Sequence, residues 1–174
     1  MGTVEPRKNL VRLLEAFNAL TAAGGFGHGL VITGGKGWHD AAILKALETI
    51  KARDRVFLTG FVPAEELPAL YSLADLVVYP SLYEGFGMPV LEAMACGTPV
   101  VTSNVSSLPE VAGDAALLVD PHSTDDLVDA IRKGLRDEGL RSAMRQKGLV
   151  QASRFSWEKS AQQALTLFEE AAQL

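Results

Sequence analysis

The chain is poor in the residues that build disulfides and metal centres. One of its 174 residues is cysteine, Cys96, so no disulfide can close within it and no cysteine-rich zinc site can form. Cys96 lies in an apolar helical stretch, which favours packing over a nucleophilic role. The three histidines, His28, His39 and His122, show no ligand-like spacing to one another, and no metal site is expected. Positive charge is also scarce: 16 Lys and Arg against 21 Asp and Glu leave a net charge of −5, which argues against a general nucleic-acid surface. No apolar run approaches the roughly 20 residues that span a bilayer, and no signal peptide is visible. No basic amphipathic segment argues for membrane-surface binding. These absences point to a cytoplasmic protein, with peripheral membrane association left open. Repeats, linkers and low-complexity segments are lacking too, and the length fits one domain, residues 1–174, with a substantial core.

What is present is an alternation of short apolar strands and amphipathic helices. Strands are predicted at Gly29–Ile32, Arg55–Leu58, Leu76–Tyr79, Pro99–Thr102 and Ala116–Val119. Such continuous apolar runs fit parallel strands covered on both faces. Helices are predicted near Leu10–Leu20, Asp40–Lys51, Ala64–Leu73, Pro89–Cys96 and Leu108–Val111. After Asp120 the pattern is helical. Ser123 can cap a helix carrying Leu127, Val128, Ile131 and Leu135, with Asp126 in the capping-box position. Ser156 can cap a last helix carrying Trp157, Ala161, Leu165, Phe168 and Ala172. The fold class is therefore α/β: a doubly wound, Rossmann-like parallel sheet with extra C-terminal helices, whose ligands bind beyond the carboxyl ends of the strands.

One segment carries chemistry. Glu84-Gly85-Phe86-Gly87-Met88-Pro89-Val90-Leu91-Glu92 follows an apolar strand and opens a helix that Gly97 closes. The free N–H groups and dipole of a helix start attract an anion such as phosphate. Two carboxylates in the same segment would repel that anion, unless the ligand is long, with an anionic middle and hydroxyl-rich ends. Carboxylates accept hydrogen bonds from hydroxyls, each contributing roughly 1.5–3 kcal/mol. A sugar nucleotide, with ribose, diphosphate and hexose in a row, has that layout.

Glu84 and Glu92, separated by seven residues within Pro80-Ser81-Leu82-Tyr83-Glu84 through Thr98-Pro99-Val100-Val101, resemble the donor-site signature of retaining family-4 glycosyltransferases, the glycosyl transferases group 1. A bare pair of glutamates at this spacing would mean nothing; the surrounding residues make the match specific. The resemblance runs from Gly2 to Leu174 and implies the carboxyl-terminal, donor-binding half of a two-domain GT-B fold. Met1 to Asn9 then reads as the end of a first strand and its loop, without the strand's apolar body. An amino-terminal acceptor domain is expected to be absent.

The resemblance also implies roles. Lys8 and Glu84 are the catalytic candidates, and Lys8 with Arg7 would contact the nucleotide diphosphate. On local sequence alone, Arg7-Lys8-Asn9 would simply cap the helix from Leu10. Thr3 stands where the family commonly has a second arginine, so either Arg7 compensates or diphosphate binding is weaker. The backbone at Val62, after Gly60, would bond the nucleobase edge. Glu84 would bond hexose hydroxyls, and Glu92 the ribose. Gly85, Phe86, Gly87 and Met88 would bring backbone close to sugar or phosphate, and Val90 and Leu91 would present N–H groups to phosphate. Gly34-Gly35-Lys36-Gly37-Trp38 is neither a complete dinucleotide fingerprint nor a P-loop, and reads as a turn bordering the pocket. Tyr83, Trp38 and Trp157 read as packing residues.

The first expectation is thus a retaining hexosyl transfer from a nucleoside-diphosphate sugar, without metal or other cofactor. The leaving diphosphate would help deprotonate the acceptor hydroxyl. A second reading is a non-catalytic Rossmann-like scaffold that self-associates, and a weaker third is a half resembling a sugar-nucleotide epimerase.

Overall fold

The structure is a computed structural model describing residues 1–37 and 41–172, so Trp38, His39 and Asp40 lie outside the described residues. Among the described residues five strands are seen: β1 (Leu30–Thr33), β2 (Val56–Gly60), β3 (Val77–Tyr79), β4 (Val100–Ser103) and β5 (Ala116–Val119). The helices are α1 (Leu10–Ala22), α2 (Ala41–Thr49), α3 (Leu67–Leu73), α4 (Met88–Ala95), α5 (Leu108–Ala112), α6 (Thr124–Arg136), α7 (Glu138–Ala152) and α8 (Trp157–Ala171). A single 3-10 turn, Pro6–Lys8, precedes α1. Every strand pairing is parallel, as the βα alternation requires. The strands form two blocks, β1-β2 and β3-β4-β5. An apolar cavity of about 340 Å³ lies between β1 and β3, bordered by Phe17, Leu30 and Val77. Near it Val4 makes a one-residue parallel bridge to Lys36.

Helices cover both faces. On one side α1, α2 and α6 bury Leu14, Phe17, Ile43, Leu127 and Ile131 against Ile32, Val56, Val101 and Val119. On the other, α3, α4 and α5 bury Tyr71, Val90, Met94, Leu108 and Val111 against Val100. Val100 and Val101 thus face opposite helix layers, following the two-residue period of a strand. All four residues of β4 are buried, which marks it as the central strand of its block. The expectation that every strand is covered on both faces fails at Val31 of β1 and Leu118 of β5, and most plainly at β2, where Phe57 and Leu58 are 54% and 48% exposed. β2 ends its block, and only Val56 turns into the core.

Local chemistry explains the boundaries. α3 begins at Leu67 rather than Ala64 because Pro68 suits a first helical turn. α4 opens at Met88, one residue before the predicted Pro89, and ends in a Schellman motif. There the Thr98 N–H meets the Ala93 carbonyl and the Gly97 N–H meets that of Met94, both at 2.9 Å, with Gly97 at φ 70°. The C-terminal helical region contains a break not anticipated above. The Asp137 side chain accepts the Leu140 N–H at 2.9 Å and starts α7 directly after α6. Ser123 and Ser156 cap α6 and α8 as expected. The predicted apolar stripe on α8 does not dock on the chain's own sheet: Trp157, Leu165 and Phe168 are 77%, 49% and 73% exposed.

Replacing Leu14, 2% exposed under the sheet, by alanine is expected to lower unfolding stability by about 2–5 kcal/mol through the cavity it leaves. Trp157→Ala should stay within about 0.5 kcal/mol of the parent. Urea unfolding followed by circular dichroism measures both.

Candidate functional site

The site forms where the carboxyl end of β3 meets the start of α4. After Tyr79 the chain turns at Pro80 and runs through an exposed loop to Glu84, and the Leu82 N–H donates to the Arg7 carbonyl at 2.9 Å. That bond lays the loop against the 3-10 turn before α1. Asn9 fastens the same junction: its side-chain amide donates to the Pro80 carbonyl at 3.0 Å and to the Pro121 carbonyl at 2.7 Å. Asn9 adopts the left-handed conformation, φ 57° and ψ 35°, which asparagine tolerates better than most residues. Lys8 is thereby delivered into the interior.

There the Lys8 ammonium donates to Glu84 Oε1 at 2.7 Å and also to the Tyr79 hydroxyl, and it lies 4.8 Å from the Tyr79 ring centroid. The Tyr79 hydroxyl donates to the same Glu84 oxygen at 2.8 Å. Arg7 closes the other side, with Nη1 at 2.5 Å from Glu84 Oε2 and Nη2 at 2.6 Å from Glu5 Oε1. Lys8 and Glu84 are 9% and 8% exposed, whereas the Arg7 side chain is 40% exposed. Burial works against ionisation of Glu84, yet hydrogen bonds from Lys8, Tyr79 and Arg7 outweigh it and hold the carboxyl below its ordinary value. Burial, then the bond to Glu84, pushes the Tyr79 phenol up, so it remains a donor.

The loop from Glu84 into α4 is braced by two serines. The Glu84 N–H donates to Ser106 Oγ at 3.1 Å, and Ser107 Oγ donates to the carbonyls of Glu84 and Phe86 at 3.0 and 2.8 Å. Phe86 also sets its ring edge-on to Phe155, with centroids 5.6 Å apart. Gly87 takes φ 107°, and a Cβ there would stand 2.7 Å from Leu108 Cδ2, so glycine is required. Gly85 and Met88 are exposed.

Val90 and Leu91 are placed differently from expectation. Their N–H groups both turn to the Gly87 carbonyl, at 2.9 and 3.4 Å, and the Val90 side chain is fully buried. The backbone N–H groups of Phe86, Gly87 and Met88 have no partner among the described residues, so the anion-binding capacity of this helix start rests on them.

Glu92, half-buried on the second turn of α4, accepts a hydrogen bond from the Tyr71 hydroxyl at 2.7 Å. It borders a cavity of about 300 Å³ together with Gly2, Thr33, Gly34, Phe61, Val62 and Pro89. Val62 and the glycine turn after β1 therefore do meet Glu92. Gly2 joins this cavity to the ion cluster, since a Cβ on it would lie 3.5 Å from Lys8 Nζ. Lys8 and Glu84 thus meet in one ion cluster, and Gly2 lies between that cluster and the separate cavity that Glu92 borders.

Glu5, Tyr71, Tyr79, Ser106 and Ser107 were not singled out from sequence. Only Tyr79, the last residue of a strand pointing at the carboxyl edge, carried a positional signal. Tyr83, predicted to pack, is 63% exposed and offers its carbonyl to Arg7 at 2.9 Å. Cys96 is half-buried at the end of α4. No helix among the described residues is long and apolar enough to cross a membrane.

A family model described as glycosyl transferases group 1 matches residues 1–151. The chain belongs to the glycosyl transferases group 1. Within it, the chain is 43% identical over 169 residues to O-antigen chain mannosyltransferase B of Escherichia coli, covering 97% of this chain and 44% of that protein. Among solved structures it resembles sucrose-phosphate synthase of Thermosynechococcus elongatus, at TM-score 0.85 and 28% identity, over 98% of this chain and 44% of the other. It also resembles the C-terminal domain of a group 1 glycosyl transferase, LpcC, from Francisella tularensis, at TM-score 0.77 and 27% identity, over 88% of this chain and 82% of that one. The chain spans less than half the length of the curated glycosyl transferases to which these matches point. The fold is that of GT-B glycosyltransferase carboxyl-terminal domains.

The buried charge cluster gives a pH signature. The folded-state pKa of Glu84 lies below its ordinary 4.5, so the ionised group adds stability above that pH, and the contribution drains away as pH falls below it. The gap in urea midpoint between the parent chain and Glu84→Gln is expected to hold steady near neutrality and to narrow below pH 4.5.

Proposed function

We propose that this chain is the donor-binding part of a retaining glycosyltransferase that moves a hexosyl group from a nucleoside-diphosphate sugar to an acceptor hydroxyl. The observation that carries this reading is the meeting of Lys8 and Glu84 beside the start of α4, with Glu92 further along the same helix at a cavity that Gly2 links to the pair. The nucleoside lies in the cavity between Val62 and Glu92, its base edge on the backbone near Val62 and its ribose hydroxyls on Glu92. The diphosphate lies against Lys8, Arg7 and the free N–H groups of Phe86, Gly87 and Met88. The hexose reaches Glu84 and the Gly85 loop. The name of the 43% identical relative, a mannosyltransferase, favours a mannosyl donor.

Chemistry in this arrangement is electrostatic. Bond breaking loads negative charge on the diphosphate, and Lys8 and the helix start, fixed beforehand, stabilise it without reorganising. The departing phosphate, on the face of the sugar that the acceptor approaches, takes the acceptor proton. Glu84 orients the hexose. No metal is needed, because two cations and a helix start already face the diphosphate. The acceptor site is assigned to an amino-terminal domain, so the isolated chain binds nucleotide weakly and transfers sugar slowly or not at all.

Calorimetry with UDP, GDP and ADP is expected to show binding of at least one, unchanged by EDTA. Silence with all three, or strict dependence on a divalent metal, would remove the donor-site reading. Glu92→Gln should weaken nucleoside diphosphate binding by about tenfold, the size of one charge-assisted hydrogen bond, and Glu84→Gln by less. The opposite order would show the two glutamate roles exchanged.

A further inference from the structure

Each of the two glutamates is met by a buried tyrosine from the element packed beside it. Tyr79 reaches Glu84 inside the ion cluster, where Lys8 and Arg7 also hold that carboxylate. Glu92 has no such company: the Tyr71 hydroxyl is its one side-chain partner among the described residues, at 2.7 Å to Oε2. Tyr71 is itself immobilised. Its ring is 2% exposed within the cluster of Val90, Ala93 and Met94, and its carbonyl accepts the Thr98 hydroxyl at 2.8 Å. α4 packs the ring and Thr98, the residue after α4's closing glycine, holds the Tyr71 backbone, leaving the hydroxyl to reach the cavity edge. The same device recurs at Tyr79, whose carbonyl accepts the Thr102 hydroxyl at 2.8 Å.

We propose that Tyr71 is a positioning residue: it fixes the Glu92 carboxylate so that its remaining acceptor sites face the ribose hydroxyls of a bound nucleoside diphosphate. The proposal rests on the donor-site reading above. A carboxylate offers about four lone-pair positions, and Tyr71 takes one of them on Oε2. Oε1 is left for the ligand. An exposed glutamate samples several rotamers, and a ligand must freeze them on binding. A glutamate tied to a rigid phenol is already in place, so less of the binding free energy goes into ordering it. Burial first, and the hydrogen bond to Glu92 second, push the Tyr71 phenol up, so it stays protonated and donates at all physiological pH.

Tyr71→Phe tests this cleanly, because the ring and its packing remain and the hydroxyl alone is lost. The probe is whichever of UDP, GDP and ADP the parent chain binds, compared by calorimetry with its 2′,3′-dideoxy analogue. The parent is expected to prefer the ribonucleotide by about tenfold, the contribution of charge-assisted hydrogen bonds to the ribose. Tyr71→Phe should lose about fivefold on the ribonucleotide and less than about twofold on the dideoxy analogue, so the preference shrinks. In the Glu92→Gln background, Tyr71→Phe should add little, because the group it positions is already altered. Equal losses on both ligands would mean a merely structural tyrosine and overturn the proposal, as would full retention of the preference. A parent chain that binds neither overturns the donor-site reading and the proposal with it, and one that binds both alike overturns the ribose role of Glu92 and so the proposal. Either outcome is seen before any variant is made.

Discussion

The ion pair between Lys8 and Glu84 is the constraint around which the site is arranged. Two nearly buried charges are costly to remove from water, and breaking such a pair by deleting one partner leaves a penalty of about 3–5 kcal/mol. The chain meets that cost with geometry. The Tyr79 hydroxyl and Arg7 satisfy further lone pairs of Glu84, and Glu5 shares Arg7. Every group that serves the pair is then held by backbone. Asn9 ties the 3-10 turn to Pro80 and Pro121, and Ser106 and Ser107 tie the Glu84 loop to the start of α5. The pair adds little net stability of its own. What it does is forbid the loops around it from taking other arrangements.

The consequences reach along α4. A helix start presents unpaired N–H groups, and here two of them, on Val90 and Leu91, are consumed by the Gly87 carbonyl. The remaining positive potential is concentrated at the Phe86–Met88 loop, next to the cluster, rather than spread over the first turn. Gly87 makes this possible, since its φ of 107° bends the chain where any Cβ would strike Leu108. On the following turn Glu92 sits at the rim of the cavity that Val62 also borders, and Glu84 lies outside that lining. An acid, a run of amides and a second acid in that order match a polyol, an anion and a polyol.

Much of this was legible beforehand, for a physical reason. The βα alternation is written in local apolar runs, and the segment from Glu84 to Glu92 carries its own proline and glycine punctuation, so strand, loop and helix follow from near neighbours. Features that depend on partners remote in sequence were not legible. Tyr71 looked like an ordinary core residue, because its hydroxyl finds Glu92 only across the α3–α4 contact, whereas Tyr79 meets Glu84 within the strand-to-loop turn itself. The break at Asp137 went unread although Asp is a favoured cap and Gly139 a poor helix former, because such residues also occur within helices; the cap bond to Leu140 marks it. The stripe on α8 was correctly seen as apolar, but periodicity says which face is greasy and not what covers it. The division of the strands into two blocks depends on which edges meet, a tertiary fact.

If the proposed site is right, the buried ion pair would also filter what can enter. In the proposed reading, a bare phosphate that draws Lys8 toward itself weakens the bond from Lys8 to Glu84 and offers that carboxylate nothing in return. The cost of an under-served buried carboxylate, about 1–3 kcal/mol or more for a charged group, then counts against binding. A ligand that brings anionic oxygens to Lys8 and hydroxyl donors to Glu84 restores both sides at once. Free phosphate and nucleoside diphosphate are thus penalised relative to the intact sugar nucleotide, although all carry the same anionic group. On that proposal, selectivity for the whole donor over its leaving product would arise from the resting pair, which would re-form once the hexose had gone and help expel the diphosphate.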